Sequence, residues 1–148
     1  MAHYLIIDAR FYPEIADELC AGAIAEIESA GASHERISVP GVLEMPTALA
    51  ISYDADGENG KKYDGFIMLG CVIRGETSHY DIVAIESARA IMDFSVANRV
   101  PVGNGILTVE NRRQAEVRAA VDEKNKGRDA ARAVIALGAL KQQMASKA

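Results

Sequence analysis

A chain of 148 residues with 49% hydrophobic and 25% charged residues has the size and balance of one globular domain, too apolar for disorder and long enough to bury a core without staples. Sixteen Lys and Arg against twenty-one Asp and Glu leave a net charge of −5, and only 5% of the residues are aromatic, with no Trp. A phosphate-backbone binder and a platform of rings for single strands are thereby disfavoured, so no nucleic-acid partner is expected and any anionic ligand must be held by a few placed cations.

In chain order, Met-Ala-His-Tyr-Leu-Ile-Ile-Asp has no basic start and meets an acid after three apolar residues, so it reads as a strand rather than a signal peptide. The first strand is predicted over Tyr4–Ala9. A helix follows over Pro13–Ala30, where Ile15, Leu19, Cys20, Ala23, Ile24 and Ile27 recur at helical spacing, Pro13 suits the first turn and Gly31 the C-cap. Ser33–Val39 is a second, weaker strand, punctuated by Pro40-Gly41, and Leu43 to Tyr53 is the second helix. Asp54–Lys62 is a polar connector. A calcium loop is rejected there because Gly65 occupies the twelfth position, where a bidentate Glu is required.

Phe66–Ile73 is apolar without alternation, as a central strand covered on both faces should be. A helix over Tyr80–Ala97 precedes a fourth strand over Val100–Val109, expected to be interrupted at Gly103-Asn104-Gly105. These glycines lie in strand-like sequence with no helix start behind them, so they are not a dinucleotide fingerprint. Arg112–Ala120 is helical, Asp122 to Gly127 is a charged junction, and Asp129–Met144 is the last helix. Strands alternating with helices predict an α/β domain with a parallel sheet and helices on both faces.

No apolar run approaches the ~18 residues of a membrane span. Cys20 and Cys71 lie in apolar sequence and are expected as free thiols in a reducing cytoplasm. The three His and two Cys are too scattered for a zinc site, and no metal is expected.

In open α/β sheets ligands bind beyond the carboxyl ends of the strands. Ala9-Arg10-Phe11-Tyr12-Pro13 follows the first strand, Val39-Pro40-Gly41-Val42-Leu43-Glu44-Met45-Pro46 the second, and Arg74-Gly75-Glu76-Thr77-Ser78-His79-Tyr80-Asp81 the third. The last is the most informative. Thr77 and Ser78 are good N-cap residues, and Ser78 to Asp81 has the spacing of a capping box. Hydroxyls and free N–H groups at a helix start can hold an anion, and His79 lies beside them with a pKa range suited to proton transfer. Each residue also has a plainer explanation: Phe11 as core, Glu44 as a dipole partner, His79 as a surface histidine after a cap, and Arg118 and Lys126 as solvated cations. Taken singly, none names a reaction.

Together, Ala9-Arg10-Phe11, the segment Val39 to Pro46, Leu69-Gly70-Cys71-Val72-Ile73 with the turn up to Asp81, Gly105-Ile106-Leu107-Thr108-Val109-Glu110-Asn111, and Asn125-Lys126-Gly127 resemble the 6,7-dimethyl-8-ribityllumazine synthase family from about Leu5 to Leu140. The resemblance implies a flavodoxin-like three-layer sandwich whose four-stranded parallel sheet has the order 2-1-3-4. It implies a transferase of riboflavin biosynthesis that condenses 5-amino-6-(D-ribitylamino)uracil with 3,4-dihydroxy-2-butanone 4-phosphate, releasing phosphate and water, without cofactor or metal. Phe11 would stack on the pyrimidine, Glu44 would bind the ribityl hydroxyls near the backbone of Val42 and Leu43, and the backbone of Cys71, Val72 and Ile73 would meet the uracil edge. Glu76 and Thr77 would hold the phosphate, His79 would carry protons, and Arg118 would reach in from a neighbouring subunit. Lys126 matches the lysine of the family's Asn-Lys-Gly turn.

Three positions depart from the commoner pattern: Glu76 in place of a small residue, Asn104 in place of an aromatic that reaches the neighbour's site, and Asp122 in place of a lysine. They bear on affinity more than on reaction class. The alternative reading is a non-catalytic flavin- or lumazine-binding module on the same fold, or a shell-former only. The resemblance further implies a cytoplasmic homo-oligomer. A lone ring of five is expected rather than a shell of sixty chains, because only Met1-Ala2-His3 precede the first strand and no glycine precedes Gly127 in the late junction.

Overall fold

The computed structural model describes residues 1–55 and 61–147. The strands β1 (His3–Ala9), β2 (Ser33–Val39), β3 (Gly65–Ile73) and β4 (Val102–Val109) form one parallel sheet of order β2-β1-β3-β4. Helices α1 (Pro13–Ser29), α4 (Arg112–Ala119) and α5 (Lys126–Ala145) cover one face, and α2 (Met45–Tyr53) and α3 (His79–Asn98) the other. This is the predicted three-layer α/β architecture. Of the polar connector 54–62, residues 56–60 lie outside the described residues, and with them much of the rejected calcium loop. Among the described residues no helix is long and apolar enough to cross a membrane.

The two interior strands read as apolar runs because both of their faces are buried. In β1, Tyr4 and Ile6 pack with Leu19 and Ile27 of α1, while Leu5 and Ile7 pack with Met45 and Leu49 of α2. In β3, Ile67 and Leu69 belong to the first core, and Phe66 and Met68 to the second. β2 is an edge strand, and its Ser-His-Glu-Arg-Ile-Ser-Val sequence is largely exposed. Helix α3 turns Val83, Ser87 and Ile91 inward, yet Ile82, Ile85, Met92 and Val96 remain exposed.

β4 departs from expectation. It begins at Val102, not Val100, and runs through Gly103-Asn104-Gly105 without a break. The glycines make room rather than a turn: a Cβ on Gly103 would run into the backbone carbonyl of Ala130 in α5. Glycine here lets a helix settle directly on the strand. α5 likewise starts at Lys126, not Asp129. Asn125 takes the left-handed conformation (φ 46°, ψ 56°), and its side chain accepts from the backbone N–H of Arg128.

Candidate active site

The chain runs from β1 outward to β2 and then, on the other side, to β3, so the sheet order switches direction between β1 and β3. A cleft of about 390 Å³ opens at the carboxyl end of this switch point. Its floor is the end of β3, where Cys71 and Val72 are buried and Ile73 is half-buried. Val42, Leu43 and Glu44, in a short 3-10 turn after β2, form one wall. Phe11 stands at the rim, 70% exposed, and its one ring neighbour among the described residues is Tyr12, edge-on at 5.0 Å. Thr77 and His79 close the opposite side. Nine of the residues singled out from the sequence therefore share one cavity: Phe11, Val42, Leu43, Glu44, Cys71, Val72, Ile73, Thr77 and His79. Glu76, in the same turn, is exposed and does not line it.

The helix start beside His79 is built differently from the expected capping box. Ser78 is the N-cap, but its side chain makes no capping hydrogen bond. Thr77 takes over, its Oγ1 accepting from the backbone N–H of His79 at 3.3 Å. The Asp81 carboxylate is drawn away by Arg74, which donates to it at 3.3 Å and to Glu110 at 2.9 Å. The Arg74 guanidinium also lies 4.2 Å from the centre of the Tyr80 ring. A charged partner wins the carboxylate that a neutral cap would have used.

Burial raises the Cys71 thiol to about 11, with the charge of Arg112 pulling the other way. It is protonated at neutral pH. Burial also raises the Tyr12 phenol, so that cleft wall is neutral. Among the described residues no three His, Cys, Asp or Glu side chains converge as metal ligands would.

Asn104, Arg118 and Lys126 are not in this cleft. They line a second hollow of about 360 Å³, between β4 and the start of α5, together with Thr108 and Asp129. Arg118 donates to the carbonyl of Gln114 at 3.2 Å, Lys126 lies 3.5 Å from Asp129, and the Asn104 side chain accepts from the backbone N–H of Ile106. None of the residues named from the sequence lines both cavities.

Sequence reasoning missed Tyr12, Gly75, Tyr80 and Val83 as lining residues. Val83 was within reach, because it lies one helical turn after His79 and so on the same face. Tyr80 owes its place to Arg74 and carries no local signal.

Over residues 1–142 the chain matches the model of a family described as 6,7-dimethyl-8-ribityllumazine synthase. It is 53% identical to the protein named 6,7-dimethyl-8-ribityllumazine synthase 1 of Rhodopseudomonas palustris, covering 97% of this chain and 88% of that one. To the 6,7-dimethyl-8-ribityllumazine synthase of Methylorubrum extorquens it is 57% identical, over 93% of this chain and 80% of the relative. To that of Nitrobacter hamburgensis it is 51% identical, over 97% and 88%.

Proposed function

The chain belongs to the 6,7-dimethyl-8-ribityllumazine synthase family, and we propose that it is a transferase of riboflavin biosynthesis that condenses 5-amino-6-(D-ribitylamino)uracil with 3,4-dihydroxy-2-butanone 4-phosphate in the cleft at the switch point. The observation that carries this reading is the convergence of an unpacked ring, an exposed carboxylate, free strand-end backbone and a hydroxyl–histidine turn in one cavity. Phe11 stacks on the flat pyrimidine. Glu44 accepts hydrogen bonds from the ribityl hydroxyls, and the ends of Cys71, Val72 and Ile73 meet the uracil edge. The turn at Glu76 and Thr77 holds the phosphate through its N–H groups and the Thr77 hydroxyl, the Glu76 carboxylate being turned to solvent.

The substrate amine is already a nucleophile. It attacks the ketone to give an imine with loss of one water, phosphate is eliminated, and the ring closes onto the remaining carbonyl with loss of a second water. Holding both substrates together supplies much of the acceleration, and His79 moves protons between the steps.

The chain acts as one domain in a cytoplasmic ring of five. Two features support the ring: the residues of the pyrimidine half and those of the cationic half line separate cavities of one chain, and α3 presents a second, uncovered apolar face. Arg118 and Lys126 of one subunit complete the phosphate side of the next.

A turnover assay with both substrates tests the reading. Release of inorganic phosphate in step with lumazine formation is expected. Ligand binding without phosphate release would make the protein a binder and overturn it.

A further inference from the structure

Among the described residues, Asp8 is the one charged side chain with no exposed surface. It sits in β1 between Ile7 and Ala9, where the strand is otherwise apolar. Its carboxylate accepts from the Ser38 hydroxyl at 2.5 Å and from Arg36 at 2.8 Å, both on the edge strand β2, and lies 3.5 Å from Arg10. Asp17, in the second turn of α1, accepts from Arg10 at 2.7 Å and from Arg36 at 2.8 Å. Two carboxylates and two guanidiniums thus close into a ring in which the charges cancel.

That ring ties together the end of β1, the turn after it, the start of α1 and β2. The turn backbone is fastened at the same place, the N–H of Arg10 donating to the carbonyl of Val39 at 3.0 Å. The next residue is Phe11, whose ring is 70% exposed. No core holds that ring, so its direction depends on the backbone of the turn. A buried ion pair is a poor device for stability alone, because apolar side chains of the same volume serve as well. Its directional bonds fix geometry instead. The hydrogen bonds from Arg10 and then Arg36 pull the Asp17 carboxyl down to about 2.

We infer that Asp8, Arg10, Asp17 and Arg36 are positioning residues that aim the Phe11 ring over the cleft and so set the affinity for the flat heterocyclic substrate. The inference rests on Phe11 as the stacking residue.

Asp17→Asn opens the ring at its exposed corner and leaves Asp8 bound to Ser38 and Arg36. The KM for the pyrimidine should rise about threefold to tenfold, the lower part of the range for coupled residues in one network. The KM for the phosphate substrate and kcat should stay within about twofold of wild type, and the urea midpoint should be unchanged. Asp17→Glu, which keeps the carboxylate, should restore most of the loss. In a Phe11→Ala background the same change should add nothing further. An equal rise in both backgrounds, or a joint fall in kcat and stability, would overturn the inference while leaving Phe11 as the stacking residue. If Phe11→Ala alone leaves the pyrimidine KM unchanged, the assignment of Phe11 itself fails and takes the inference with it.

Discussion

At the scale of single residues, His79 separates chemistry from architecture. Thr77 caps its backbone, not its ring, and the imidazole is exposed toward the cleft. His79→Ala should leave the circular dichroism and melting point unchanged while kcat at neutral pH falls about 100-fold, the low end for a general acid–base group. Wild-type turnover in that variant would reduce His79 to a surface residue. Phe11, Glu44, Thr77 and His79 were legible because they sit in turns directly after strands, where one rule about sheet ends places them, whereas Cys71, Val72 and Ile73 lie inside β3 and came from the resemblance alone. Long-range partners were not legible. Asp81 looked like half of a capping box because Ser78 is three residues away, but Arg74 reaches it across the turn. Cys71 is the converse case: the resemblance asked only for its backbone, and burial keeps its thiol protonated.

At the scale of elements, the strands and helices followed from periodicity, and the errors fall where glycine has two meanings. In β4 the pattern Gly-Asn-Gly looked like a break, because glycine is costly in a strand. Only the approach of α5 reveals the other meaning, since it is the Ala130 backbone that would collide with a side chain at Gly103. Gly127 plays the same part at the opposite side of α5, where a Cβ would strike the carbonyl of Leu19 in α1. The helix is wedged between a strand and a helix by residues without side chains, and Lys126 is carried on its first turn. Gly127→Ala should therefore cost about 1–3 kcal/mol, the range for overpacking a filled interior. Urea unfolding measures this, and an unchanged midpoint would mean that α5 shifts freely. Asn125, just before α5, takes the left-handed region, which Asn accepts more readily than most residues other than glycine.

At the scale of the whole molecule, the division of candidate residues between two cavities makes a quantitative demand on the assembly. In a ring whose sites each join the Phe11 side of one subunit to the Arg118 side of the next, neither variant alone has an intact site. Rings formed from equal parts of Phe11→Ala and Arg118→Ala subunits contain an undamaged pairing at about one interface in four. Co-refolded mixtures should then recover about a quarter of wild-type turnover at substrate levels well below KM, with light scattering near five chain masses. Each pure variant should stay roughly tenfold or more below wild type, as the loss of a charged hydrogen bond or a stacking face requires. Activity that is the plain average of the two variants would place both halves of the site within one chain.

The strand order also fixes a timetable. β1 is made before the other strands, yet it lies inside the sheet and needs both β2 and β3 as neighbours. At roughly 5–20 residues per second, about 3–13 s of translation separate the end of β1 from the end of β3. The helix that covers Leu19 and Ala23 on the far side, α5, is made later still. During that interval Leu5, Ile6 and Ile7 have one satisfied edge and one open one. A nascent chain halted before residue 65 would hold β1 with its β3 edge unpaired, which makes the growing polypeptide, more than the finished one, the form in need of a chaperone.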